Sequence, residues 1–352
     1  MRLLGILGLL AVAGACGAPG QQATTSPPAG ASIGKYVALG DSLTAGFQSG
    51  GLTAAGQRAA YPVLLASRAQ RPMHAPEGKD PGCPPPMGAA STADSCVRVN
   101  PGVETGNFAV PGARVEDLTR RTAANAGGAG PLYSLILGPS DTQVSGALKA
   151  RPDFISVWIG ANNVLPAALN GNPALATPLN EFRDHYAELL DALAPSGARV
   201  LLMTVPDVTA VPALVPAARL AQLGVGDASC AGSANRVSAS RVVQAYAAGV
   251  KVSCSHPEAL TPSEAETVRN TVSAYNAVIT QLGAARGMKV FDVGFLVARL
   301  DSHDLDPMRF AAPFGADYSQ DGVHPSSVAH GKLAAALVAF VNATFGTNIP
   351  TN

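Results

Sequence analysis

Ser42 stands in the run Gly40-Asp41-Ser42-Leu43-Thr44-Ala45-Gly46, directly after an apolar stretch and flanked by glycines. A serine placed there can present its hydroxyl at a tight turn, and it can equally cap the helix that follows. Near the other end, Asp321-Gly322-Val323-His324 sets a carboxylate three residues before an imidazole. That spacing lets the carboxylate hold one ring nitrogen while the other faces a nucleophile, the base-and-orienter arrangement of acyl transfer. Asn107 to Ala113 contains Pro111-Gly112, where the missing side chain opens a backbone N–H to close approach. Gly160-Ala161-Asn162-Asn163 offers an amide donor at Asn162. A tetrahedral oxyanion needs donors of both kinds. Taken singly, Gly112 reads as a turn glycine and Asn162 as an Asx-turn. Their order along the chain, Ser, Gly, Asn, Asp-x-x-His, joins them into one chemistry.

Such groups need a rigid carrier. Lys35–Gly40, Asp153–Gly160, Arg199–Val205 and Met288–Val293 are apolar, β-branched runs that read as strands, and Gly102–Val110 contains a weaker one. Helical periodicity fills the gaps at Thr177–Leu193, at Pro262–Arg286 after a capping Thr261, and at Ser326–Phe345. Strands alternating with helices predict a three-layer α/β/α sandwich around a parallel sheet of about five strands. Open sheets of this kind carry their functional groups at the carboxyl ends of the strands. Ser42, Gly112 and Asn162 each follow a predicted strand. Residues 34–347 read as one domain, with Pro72–Pro101 and Pro206–Pro257 as long irregular insertions around the sheet.

With the four segments in hand, the chain resembles the SGNH/GDSL hydrolases, whose four blocks contribute Ser, Gly, Asn and His. Gly40-Asp41-Ser42-Leu43 matches the first block, Asn107 to Ala113 resembles the second, Gly160-Ala161-Asn162 matches the third and Asp321 to His324 the last. Val205-Pro206-Asp207-Val208 also resembles a segment seen after the fourth strand in many relatives. The resemblance implies a flavodoxin-like fold and an esterase or lipase in which Ser42 attacks the ester carbonyl. It implies that His324 takes the proton and returns it to the leaving alcohol, and that Asp321 orients His324. The oxyanion hole would be the Ser42 and Gly112 backbone N–H groups with the Asn162 side chain; Asp41 would take no part in the chemistry. One position departs from the pattern, since Asn163 stands where the third block usually has Asp. Two other readings of the chain are an acyltransferase on the same scaffold and a surface-anchored binding protein with a vestigial site. The complete Ser/Gly/Asn/His set weighs against the latter.

Composition excludes several other classes. Lys+Arg and Asp+Glu balance at 24 each, so the basic surplus that phosphate binding requires is missing, and no nucleic-acid partner is expected. No G-x-S-x-G elbow, G-x-G-x-x-G or Walker pattern follows the first strand. No Cys/His cluster has zinc spacing, so neither metal nor cofactor is expected. The substrate expected is a small-molecule or lipid ester, with a weak preference for the lipid side, taken by a monomer. Arg2 and the apolar run Leu3–Ala15 read as an export signal over residues 1–15, too short to cross a bilayer. Ala13-Gly14-Ala15-Cys16 and the polar tether that follows, residues 16–33, resemble a bacterial lipoprotein signal with Cys16 as the lipidated residue. An envelope-anchored enzyme is therefore expected, or a secreted one if cleavage is ordinary. Removing Cys16 from the five cysteines leaves an even set, and Cys83–Cys96 and Cys230–Cys254 are the expected pairs because each lies within one irregular segment.

Overall fold

Six strands form among residues 32–351, which are the residues described by the computed structural model. They are β1 (Tyr36–Gly40), β2 (Phe154–Trp158), β3 (Arg199–Met203), β4 (Leu214–Pro216), β5 (Arg236–Ser238) and β6 (Lys289–Phe291). Nearly every residue of the first three is buried, as in strands covered on both faces. They join β6 in a parallel sheet of order β1-β2-β3-β6, in register at Tyr36 opposite Phe154, Ile155 opposite Val200 and Leu201 opposite Lys289.

Alternation along the strands sends two sets of side chains to two layers of helix. Phe154, Trp158 and Phe291 face one layer, where they meet Phe345, Tyr61 and Phe340 at ring centroid distances of 5.3, 5.7 and 5.2 Å. The helices there are Tyr61–Arg68 and Ser327–Phe345. Leu202 and Val290 face the other layer and pack against Gly283, where an added Cβ would come within 2.8 Å of Leu202. That layer holds Leu179–Leu193 and Pro262–Ala285, locked together by Phe182 stacked on Tyr275 at 3.7 Å. The three-layer α/β/α sandwich follows. Ser327–Phe345 is long and apolar enough to cross a membrane; here its apolar residues, Leu333, Leu337, Val338 and Val341 among them, belong to the main core.

Two expectations are corrected. The sheet has four strands, not about five: Gly102–Val110 contributes a single parallel bridge, Asn107 to Ala38, at the outer edge of β1. Three backbone bonds attach it, Ala38 N to Gly106 O, Phe108 N to Ala38 O and Val110 N to Gly40 O. Its first residues are taken up instead by a turn in which Val103 N bonds Asn100 O. The insertion after β3 is also less irregular than its composition suggests. β4 and β5 pair antiparallel, and Val215, Leu220, Val237, Cys230 and Cys254 join Phe314 and Tyr318 in a second, smaller core. Cys83 pairs with Cys96 and Cys230 with Cys254. The export signal, Cys16 and the tether up to residue 31 lie outside the described residues.

Candidate active site

Ser42 opens the short helix Ser42–Ala45 at the carboxyl end of β1, but the helix cap is its neighbour. Asp41 Oδ1 accepts the Leu43 N–H at 2.9 Å, so the Ser42 hydroxyl has no capping duty. It lies 2.9 Å from His324 Nε2, and His324 Nδ1 lies 2.9 Å from Asp321 Oδ2. A nitrogen facing a carboxylate carries the proton, which leaves Nε2 to accept from the Ser42 hydroxyl. Sequence reasoning placed these three residues at the two ends of the chain; the fold brings them into one hydrogen-bonded line.

The Asp321 carboxylate is held from four directions. Oδ1 accepts the Val323 and His324 N–H groups, and Oδ2 accepts His324 Nδ1–H and the Gly50 N–H, each at 2.9 Å. Burial pushes this carboxyl up, but the His324 imidazole and the hydrogen bonds from His324 and Val323 outweigh it and hold Asp321 well below the usual carboxylate range. The surroundings thus favour the ionised carboxylate. Phe47 packs on the imidazole with ring centroids 4.8 Å apart.

Asp41 has the opposite fate. It is 1% exposed, its Oδ2 has no hydrogen-bond partner, and burial pushes its carboxyl up to about 7 against the pull of the Leu43 N–H and His324. Its contribution is local geometry. The end of β1 just before it is fixed by Gln143, a wholly buried amide that accepts from Gly40 N at 3.0 Å and donates to Gly40 O at 2.9 Å. Nothing in the sequence marks Gln143 for this task.

Gly112 sits at φ 81° in the turn closed by Ala113 N to Val110 O, and space beside it is open. Among the described residues, neither its N–H nor that of Ser42 has an acceptor. Asn162 lies in the turn Ala161–Asn163 after β2 and donates one amide hydrogen to Ala113 O at 3.0 Å, leaving the other available. That bond ties the third block to the second. Asn107 Nδ2 to Thr44 O, 2.8 Å, ties the second to the first. Asn163 is wholly buried and fully used: it donates to Glu116 Oε2 and Thr177 Oγ1 at 3.1 and 3.0 Å and accepts from Val115 N at 3.1 Å.

The model of the GDSL-like lipase/acylhydrolase family matches residues 36–337 of the chain. Among solved structures, an alpha/beta hydrolase from the metagenome of Lake Arreo, Spain, is 16% identical with a TM-score of 0.42, covering 88% of this chain and 95% of its own. A catalytic mutant of an acetylxylan esterase from Geobacillus stearothermophilus is also 16% identical, with a TM-score of 0.43 over 88% of this chain and 94% of its own. No curated protein matches the chain.

Proposed function

The chain belongs to the GDSL-like lipase/acylhydrolase family and is a hydrolase acting on ester bonds, and from that premise we propose a serine mechanism centred on Ser42. The observation that carries it is the line Ser42 Oγ, His324, Asp321, with both links at 2.9 Å. The Ser42 oxygen attacks the ester carbonyl carbon while its proton passes to His324 Nε2. The carbonyl oxygen becomes an oxyanion met by the Ser42 and Gly112 N–H groups and the free Asn162 amide hydrogen. His324 then protonates the leaving alcohol, and an acyl group remains on Ser42. Water then attacks the acyl carbon as His324 Nε2 takes its proton, and collapse of the second tetrahedral intermediate releases the acid as that proton returns to Ser42 Oγ. Through both halves Asp321 stays ionised and stabilises the imidazolium.

Carboxylic esters with an acyl chain are the substrate class we assign. Half-buried Phe47 gives an apolar surface beside the reacting atoms, which suits alkyl carbon better than a charged group. Hydrolysis of p-nitrophenyl esters from acetyl to palmitoyl tests both points. Ser42→Ala should lose at least a thousandfold in kcat, and Asn162→Ala on the order of 10²-fold with little change in KM. Turnover that persists in Ser42→Ala would sink the mechanism. The butyryl ester should exceed the acetyl ester in kcat/KM by about tenfold, since each buried methylene contributes about 0.8 kcal/mol. A preference for acetyl would refute the acyl assignment and leave the mechanism intact.

We further place the enzyme at the cell envelope, with a lipid on Cys16. The support is the apolar run before Cys16 and the polar tether after it. Mass spectrometry of the mature N-terminus should show a diacylglyceryl-modified Cys16. A mature chain beginning beyond it would mean secretion instead.

A further inference from the structure

Gln48 and Gly51 close a tight turn on each other, Gln48 N to Gly51 O at 2.9 Å and Gly51 N to Gln48 O at 3.0 Å. The two residues at its tip are both left-handed, Ser49 at φ 53° and Gly50 at φ 76°. A non-glycine residue in that region costs about 1 kcal/mol and persists only where its surroundings hold it. The tip faces the segment that carries Asp321. Gly50 N–H donates to Asp321 Oδ2 at 2.9 Å, Ser49 N–H donates to Ser319 Oγ at 2.9 Å, and Ser49 Oγ accepts from Gln320 N at 3.2 Å. Gly50 is therefore a second donor to the oxygen that receives His324 Nδ1–H.

The turn is gripped from its other side by the segment that follows Cys83. Met87 N–H donates to Ser49 O at 2.8 Å, Leu52 N–H to Pro84 O at 3.0 Å, and Cys83 N–H to Leu52 O at 2.9 Å. At Gly51 an added Cβ would lie 2.4 Å from Pro86 N, so the two backbones are in direct contact. Residues 72–101 contain neither helix nor strand of their own. The bond from buried Cys83 to Cys96 closes this stretch covalently, beside the backbone bonds from Lys79 N to Val97 O at 2.8 Å and Val99 N to Glu77 O at 2.9 Å.

We propose that the Ser49–Gly50 turn is the positioning element of Asp321, and that the Cys83–Cys96 disulfide holds the turn in place. The assignment rests on Asp321 and His324 acting as orienter and base, and it makes turnover depend on a bond remote from Ser42 in sequence. The readout is the low-field proton resonance of the Asp321–His324 hydrogen bond in the full-length enzyme, identified by its loss in Asp321→Ala, together with kcat. Ser49→Val, whose branched side chain resists a positive φ, should broaden or abolish the resonance. It should also lower kcat about tenfold, with KM within about twofold. Ser49→Gly keeps the turn and both backbone donors, so it should retain the wild-type resonance. A sharp, unshifted resonance in folded Ser49→Val overturns the role of the turn. Graded reduction of the native enzyme, with the opened cysteines identified by alkylation and mass spectrometry, tests the disulfide without a variant that must fold. The resonance should fade in step with opening of Cys83–Cys96; a sharp resonance with that bond open overturns its part. Ester turnover in Ser42→Ala would defeat the proposed mechanism while leaving the resonance experiment to be read on its own.

Discussion

Glu116 and Asn163 are matched in a way that a single substitution can expose. The Asn163 amide donates to Glu116 Oε2 at 3.1 Å, in a site where Asn163 has no solvent access. The relatives' usual Asp at this position would keep the Val115 N–H as a donor but would turn a carboxylate toward the Glu116 carboxylate. The nearest cation-forming group to Glu116, His185 Nδ1, is 3.7 Å away and neutral unless protonated. Asn163→Asp should therefore destabilise the fold by about 2 to 3 kcal/mol, read from urea unfolding at neutral pH. Adding Glu116→Gln restores a donor for the new carboxylate and should recover most of the loss. A coupling energy below about 0.5 kcal/mol between the two positions would show that they do not interact. The departure from the block pattern is thus compensated within the loop that carries Asn162, and the oxyanion donor keeps its place.

At the scale of elements, the glycines of the first two site segments do two different jobs. An added Cβ on Gly40 would lie 2.3 Å from Trp158 O on the adjoining strand, whereas one on Gly112 would meet nothing within 4 Å. Gly40→Ala must force β1 and β2 apart, and it should cost on the order of 3 kcal/mol or more. Gly112→Ala should cost only the left-handed backbone, about 1 to 2 kcal/mol. Thermal unfolding of the pair separates them; equal losses would mean that the strand ends yield more than the packing implies. The strands themselves were legible because β1, β2 and β3 are continuous apolar runs buried on both faces, and Thr261 was legible as a cap because Pro262 follows it at the first helical position. Asn107's edge was not, because a segment paired on one side only needs few apolar residues. The second core was hidden for another reason. Its residues run from Val215 to Tyr318 in pieces too short to show a period. Residue types and order named the site's principal groups, but Gly50 meets Asp321 across 271 residues, and no local pattern announces such a contact.

For the molecule as a whole, two buried groups with opposite charge preferences set how stability responds to pH. Asp41 is raised by burial from 3.8 to about 7, so between those values the folded chain keeps a proton that the unfolded chain has released. Its contribution makes stability fall as pH rises through that window. His330 is wholly buried, accepts the Tyr61 N–H at its Nδ1, and is lowered from 6.5 to about 4, chiefly by burial and further by His324. Between pH 4 and 6.5 the unfolded chain binds a proton that the folded one refuses, so this contribution makes stability rise with pH. The two slopes oppose each other over the same interval, and wild-type melting should be nearly flat there. Asp41→Asn keeps the Leu43 cap and removes the falling slope, so its melting temperature should climb from pH 4.5 to 6.5. His330→Asn keeps an acceptor for Tyr61 N–H and removes the rising slope; it should melt lower throughout, because it leaves a cavity, and lower still as pH rises. Each tilt should amount to about 1 to 3 kcal/mol across the window. Parallel curves for wild type and both variants would mean that neither group changes its protonation on unfolding. Asp321 adds nothing in this range, since its carboxyl is depressed and its contribution is lost only below the ordinary carboxylate range. Both groups also feel the His324 base, which pulls the Asp41 carboxyl down and lowers His330 further, so the pH response of stability is linked to the charge of the group that drives turnover.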